Sequence, residues 1–126
     1  MIRKQILIVD DQEHLRELVK LCLEDLAGWN TLAAESGQEC LEILKTERPN
    51  AILLDISMPG MDGFAVCDRL RSDPITRSIP VILLTARVLS SDMAEFAKMG
   101  VAGVIRKPFE ATTLPGKVAE ILGWDD

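Results

Sequence analysis

The 126-residue chain is predicted to form an α/β fold, a five-stranded parallel sheet with helices on both faces. Two observations predict it. Short apolar runs of strand length alternate with segments of helical period five times along the chain. The runs are apolar throughout rather than alternating with polar residues, which requires cover on both faces of the sheet.

Ile6-Leu7-Ile8-Val9 is the first run, and it ends in Asp10-Asp11. Leu15, Leu18, Val19, Cys22 and Leu26 then recur at the spacing of an amphipathic helix, with Gly28 as its C-terminal cap. Thr31 to Ala34 reads as a second strand. Ser36 and Glu39 form a capping box for a helix that turns Cys40, Leu41 and Leu44 inward and stops before Pro49. Ala51-Ile52-Leu53-Leu54 is the third strand and ends in Asp55. Pro59, Gly60, Asp62 and Gly63 make a turn, followed by a helix from about Phe64 to Arg71. Val81-Ile82-Leu83-Leu84 ends in Thr85, and a helix from Ser91 to Met99 stops at Gly100. Strand five is expected over Val101 to Ile105, ahead of Lys107-Pro108. The last helix carries Val118, Ile121 and Leu122. Pro115 is tolerated only near a helix start, so its regular part is placed from Thr113, with Thr112 or Thr113 as cap.

Composition narrows the function. With 48% hydrophobic and 27% charged residues the chain is an ordinary globular protein. A net charge of -6 argues against direct nucleic-acid binding, which relies on a basic footprint. No apolar run approaches the roughly 20 residues that cross a bilayer, so no membrane association is expected. Met1-Ile2-Arg3-Lys4-Gln5 and the acidic pair close behind do not make a signal peptide, and a cytoplasmic location is expected. Cys22, Cys40 and Cys67 fall on helical apolar stripes and read as buried thiols. His14, near the start of a helix with no second ligand beside it, reads as a solvated residue.

The polar residues that end the apolar runs carry the functional argument. Asp10, Asp11, Asp55, Thr85 and Lys107 all follow strands, and a parallel sheet brings strand carboxyl ends to one rim. Three neighbouring carboxylates repel one another and need a cation to stay ionised, and hard oxygen ligands favour Mg²⁺ or Mn²⁺ over zinc. A divalent ion with an ammonium and a hydroxyl suits phosphoryl transfer, in which a carboxylate is the nucleophile. Asp55, on the central strand, is the candidate. The plainer alternative is that such carboxylates cap the following helices or face water.

The ordered stretches Ile6-Leu7-Ile8-Val9-Asp10-Asp11, Leu54-Asp55-Ile56-Ser57-Met58-Pro59-Gly60-Met61-Asp62-Gly63, Ile79-Pro80-Val81-Ile82-Leu83-Leu84-Thr85-Ala86 and Lys107-Pro108-Phe109 resemble the receiver domain of two-component response regulators, of the stand-alone CheY-like kind. The resemblance covers essentially the whole chain. It implies a flavodoxin-like fold with strand order 2-1-3-4-5 and one receiver domain over 1–126, with no output domain. It implies that Asp55 accepts a phosphoryl group from a sensor histidine kinase or a histidine phosphotransfer protein. Asp11 is then a direct Mg²⁺ ligand and Asp10 acts through water, with Asp55 and the backbone carbonyl of Ser57 completing the set. Lys107 is expected to pair with phosphoryl oxygens across a cis bond to Pro108, and Thr85 to move towards the phosphoryl group. Ser57 and Arg87 take positions that border that group and tune its lifetime. A downstream protein is expected to read the surface of the fourth helix, fifth strand and fifth helix. Val104 departs from the family pattern, because an aromatic or histidine usually stands three residues before the lysine.

Three other readings compete. A receiver that works without phosphorylation, as a protein-interaction module, is supported by Val104. A phosphatase with an aspartyl intermediate would place a second acid two residues after the nucleophile, where this chain has Ser57. A flavodoxin would need a phosphate loop after strand one, where Asp10-Asp11 repel phosphate. The sequence favours a signalling switch that is not an enzyme beyond its own phosphorylation and slow dephosphorylation.

Overall fold

The computed structural model describes residues 4–58, 60–86 and 90–124, and of residues 90–92 the backbone only. The elements run β1 (Gln5–Val9), α1 (Glu13–Ala27), β2 (Asn30–Ala34), α2 (Gly37–Ile43), β3 (Ala51–Asp55), α3 (Gly63–Ser72), β4 (Val81–Thr85), α4 (Ser90–Lys98), β5 (Gly103–Arg106), a 3-10 turn (Ala111–Thr113) and α5 (Leu114–Leu122). All four strand pairings are parallel and the order is β2-β1-β3-β4-β5, as expected.

Alternate residues of the strands feed two cores. Leu7, Val9, Ile52, Leu54, Val81 and Leu83 pack with Cys40, Val66, Leu70 and Phe96, so α2, α3 and α4 cover one face. Ile6, Ile8, Leu53, Ile82 and Leu84 pack with Val19, Leu23, Leu114 and Val118, so α1 and α5 cover the other. β3 and β4 are buried along their whole length, which is why neither alternates. Truncating a leucine there, such as Leu53→Ala, removes contacts worth about 2–5 kcal/mol.

Local chemistry sets the boundaries. Gly28 closes α1 at φ 71°, where its N–H bonds Glu24 O at 3.1 Å, a conformation that a side chain disfavours. Ser36 Oγ accepts from the Glu39 N–H at 3.1 Å, while the Glu39 carboxylate accepts from the Glu35 N–H at 2.9 Å, one residue before the position a reciprocal box would use. Asp62 caps α3 by accepting from the Ala65 N–H at 3.0 Å.

Several expectations need correction. Leu18 and Leu26 are not core residues but 45% and 59% exposed; Val19, Cys22 and Leu23 form the buried stripe of α1. The periodic set was broader than the stripe the sheet covers. α2 ends at Ile43, well short of Pro49, because tighter bonds from the Lys45 and Thr46 N–H groups take over its last carbonyls and Arg48 Nη1 donates to Leu44 O. β5 starts at Gly103 rather than Val101, with Ala102 N–H held by Val81 O at 2.8 Å just ahead of it. Neither threonine caps α5 through its side chain: Thr113 Oγ1 donates to Glu110 O instead, and Pro115 sits in the first turn, where no N–H is needed. The three cysteines are buried, and burial pushes the thiols of Cys40 to about 12 and Cys67 to about 11. His14 is exposed.

Candidate functional site

The carboxyl ends of β1, β3, β4 and β5 bring the predicted polar residues together. Asp10, Asp11 and Asp55 each offer a carboxylate oxygen, and these oxygens lie within 4.8 Å of one another. Asp10 and Asp55 are buried, whereas Asp11 stands exposed at the rim. Lys107 reaches across from beyond β5, its Nζ 3.4 Å from Asp10 Oδ2 and 3.4 Å from Asp55 Oδ1.

Local hydrogen bonds fix the two buried acids. Asp10 Oδ1 accepts from the Gln12 N–H at 2.9 Å, and Arg16 Nη1 donates to the Asp10 backbone carbonyl at 2.8 Å. Asp55 Oδ1 accepts from the Ser57 N–H at 3.1 Å. These two carboxylates therefore hold the loops that follow their strands rather than capping the next helices or facing water, as the plainer reading had them, and they converge with a lysine.

Burial drives the Asp55 carboxyl above the ordinary value of 3.8; the Lys107 ammonium and the Ser57 N–H pull it down, and the Asp10 charge pushes it up again. The balance disfavours the ionised form in the protein alone. A divalent cation among these oxygens would favour the ionised form, and a donor set of carboxylate oxygens fits a hard ion of the Mg²⁺ type. The residues present therefore fit the expected metal.

The remaining predicted residues fall as follows. Thr85 is buried at the end of β4, and its carbonyl accepts from the Lys107 N–H at 2.8 Å, which ties the hydroxyl-bearing residue to the lysine through backbone. The Lys107–Pro108 peptide bond is cis. Ser57 is exposed beside Asp55. Val104 pairs with Leu83 in the sheet and packs, half-buried, into the core that holds Phe96. Arg87 lies outside the described residues.

One support of the site, Gly63, and one anchor at the opposite edge of the sheet, Arg71, escaped sequence reasoning. Gly63 lets the start of α3 close against the end of β3, since a Cβ there would stand 2.7 Å from Ile56 Cα and 3.0 Å from Asp55 O. The turn-rich stretch signalled a glycine, though not this contact. Arg71 donates from Nε to Met99 O at 3.2 Å, from Nη2 to Gly100 O at 2.7 Å and from Nη1 to Arg77 O at 2.7 Å, which anchors the C-terminal end of α4. No local pattern announces it.

Residues 6–119 match the response regulator receiver domain, and the chain belongs to that family. It is 38% identical over 117 residues to the chemotaxis protein CheY-3 of Vibrio cholerae, covering 93% of this chain and 90% of that protein. It is 35% identical over 122 residues to the phosphate regulon transcriptional regulatory protein PhoB of Pseudomonas aeruginosa, covering 97% of this chain and 53% of that one. The chain thus spans about half the length of several curated relatives it matches, PhoB and the probable transcriptional regulator ycf27 of Porphyridium aerugineum (49% covered) among them. The solved structure of CheY4 of Vibrio cholerae superposes with a TM-score of 0.88 at 28% identity, over 95% of this chain and 99% of that chain. The receiver domain of a histidine kinase from Syntrophus aciditrophicus does so with 0.83 at 36% identity, over 95% and 90%.

The fold is thus the CheY-like, flavodoxin-like arrangement. Receiver domains are signalling proteins rather than enzymes in the ordinary sense. They bind Mg²⁺ through acidic residues and interact with histidine kinases and downstream targets. Among the described residues, no helix is long and apolar enough to cross a membrane.

Proposed function

We propose that this chain is a phosphorylation-controlled switch whose phosphoacceptor is Asp55, and that residues 1–126 act as one receiver unit. The observation that carries the reading is the convergence of Asp10, Asp11 and Asp55 oxygens within 4.8 Å, with the Lys107 ammonium 3.4 Å from Asp55. Convergence of three carboxylates from two separate strand ends is costly in electrostatic repulsion, and phosphoryl transfer is a use that offsets it.

Asp11, Asp55 and the Ser57 carbonyl would hold Mg²⁺, with Asp10 acting through water; Mn²⁺ would serve equally. The bound ion supplies positive charge opposite the equatorial phosphoryl oxygens. An Asp55 oxygen forms the new bond to phosphorus as the bond to the donor's imidazole nitrogen breaks. The donor is a sensor histidine kinase or a histidine phosphotransfer protein. Lys107 then pairs with phosphoryl oxygens, and Thr85 turns its hydroxyl towards them.

The modification adds a charge of about -2. It favours whichever arrangement of the loop after Thr85 binds that charge better, and the shift is limited by that difference in affinity. A partner protein would read the change on α4, β5 and α5, where Met93 is 45% exposed. Val104 leaves the usual aromatic relay out, so the relay to this surface is the part of the switch that differs from the family pattern. Ser57 and Arg87 would set how long the phosphoryl group survives.

Intact mass after incubation with Mg²⁺ and acetyl phosphate tests the reading. A gain of one phosphoryl group, absent in Asp55→Asn, supports the switch. A parent chain that stays unmodified favours the phosphorylation-independent interaction module instead. Turnover of phosphomonoesters is not expected, because Ser57 offers no acid-base partner.

A further inference from the structure

A groove of about 360 Å³ lies between the ends of α2 and α3. Because all strands are parallel, each connecting helix runs back along the sheet. These helix ends therefore sit at the edge opposite Asp55. Leu41, Leu44 and Ile75 give the groove an apolar lining, and Lys45, Arg48 and Arg69 give it three cations. Asp73 is the acid in the same lining, and its Oδ1 already accepts from the Ile75 N–H at 2.9 Å.

The cations differ in their engagements. Lys45 shares the exposed Glu42 at 3.0 Å, and Arg48 Nη1 is taken by the carbonyls of Leu44 and Glu47. Arg69 is exposed and, among the described residues, has no hydrogen bond or ion pair. Ile75 is 57% exposed beside it. An apolar lining under a positive rim is unusual on a chain of net charge -6, and it defines a complementary ligand.

We infer that this groove docks an acidic segment of a partner protein, one apolar side chain entering between Leu41 and Ile75 while flanking carboxylates meet Arg69 and Lys45. The volume suits one or two side chains and excludes a whole helix. The apolar lining argues against inorganic anions. The chain's net negative charge opposes long polyanions such as nucleic acid, whereas a short acidic segment meets only the local positive rim. The site is remote from Asp55, so docking and phosphorylation would be compatible, and the inference stands without the reading of Asp55.

The test is fluorescence anisotropy of the full chain with a labelled peptide carrying one leucine among four acidic residues. Saturable binding is expected, weakened about tenfold or more by Arg69→Glu and by leucine-to-alanine in the peptide, and reduced by salt. Among the described residues Arg69 makes no hydrogen bond or ion pair, so Arg69→Glu should keep the fold, with only a small drop in melting temperature from the reversed charge in the last turn of α3; Ile75→Asp provides a second variant that attacks the lining. Amide NMR shifts on peptide addition should centre on Leu41 and Thr76. No binding, binding unchanged in both variants, shifts centred on Lys107, or equal competition by a single-stranded oligonucleotide would each overturn the inference.

Discussion

The Lys107 ammonium stands between two buried carboxylates, 3.4 Å from Asp10 Oδ2 and 3.4 Å from Asp55 Oδ1. It partly neutralises the pair without a metal, and so it competes with any divalent ion for the same oxygens.

Lys107→Ala should therefore tighten Mg²⁺ binding, by about three- to tenfold, on the order of 1 kcal/mol for a charge a few ångströms away in a partly solvated site. Calorimetric titration of parent and variant measures it. Equal or weaker affinity in the variant would mean that the lysine does not face the ion.

Burial holds the Asp55 carboxyl above its ordinary value of 3.8, so the folded chain keeps that proton more tightly than the unfolded chain. The stability from this group is complete below 3.8 and is lost as pH rises through the raised folded value. Without divalent ions, Asp55→Asn should thus melt above the parent at neutral pH. The gap should close as the medium is acidified towards the ordinary carboxylate range. Mg²⁺ should raise the parent and leave the variant where it was. Thermal melts across pH, with and without Mg²⁺, read all three effects.

Gly63 has no room for a methyl group, since backbone atoms of Ile56 and Asp55 would stand 2.7 and 3.0 Å from it. Gly63→Ala is expected to cost about 1–3 kcal/mol in urea unfolding, the range for overpacking a tight contact. Because the displaced backbone carries Asp55, phosphorylation by acetyl phosphate should slow as well. A variant as stable and as reactive as the parent would contradict the close approach.

Much of the site was legible because the chemistry interrupts a pattern. Asp10 and Asp55 each end an apolar run, and the rule that parallel strands share a carboxyl edge brings them together from the order of residues alone. Ser36 and Asp62 were readable as a helix cap and a turn residue because their bonds are local. Arg71 was not, since two of its three acceptors lie 28 and 29 residues away and arginine on a helix usually means a solvated face. Leu18 and Leu26 misled for a related reason. Periodicity shows that a helix has an apolar side but not how much of it the sheet and α5 will cover.

Arg71 yields its own prediction. Arg71→Ala should destabilise the chain by about 1–3 kcal/mol, as charge-assisted bonds to carbonyls are lost, and Arg71→Lys should recover little because one ammonium cannot serve the forked set. Hydrogen exchange at Met99 and Gly100 should accelerate more than exchange in β1. Uniform acceleration would argue that Arg71 supports the whole fold rather than the end of α4.

The most direct measurement of the central claim is chemical localisation of the phosphoryl group. The chain, treated with Mg²⁺ and acetyl phosphate, is reduced with borohydride, which converts an acyl phosphate to the alcohol of homoserine, and is then sequenced by mass spectrometry. Homoserine at position 55, and at no other acid, is the predicted result. Homoserine at Asp10 or Asp11, or an unreduced phosphate on Ser57 or Thr85, would contradict it.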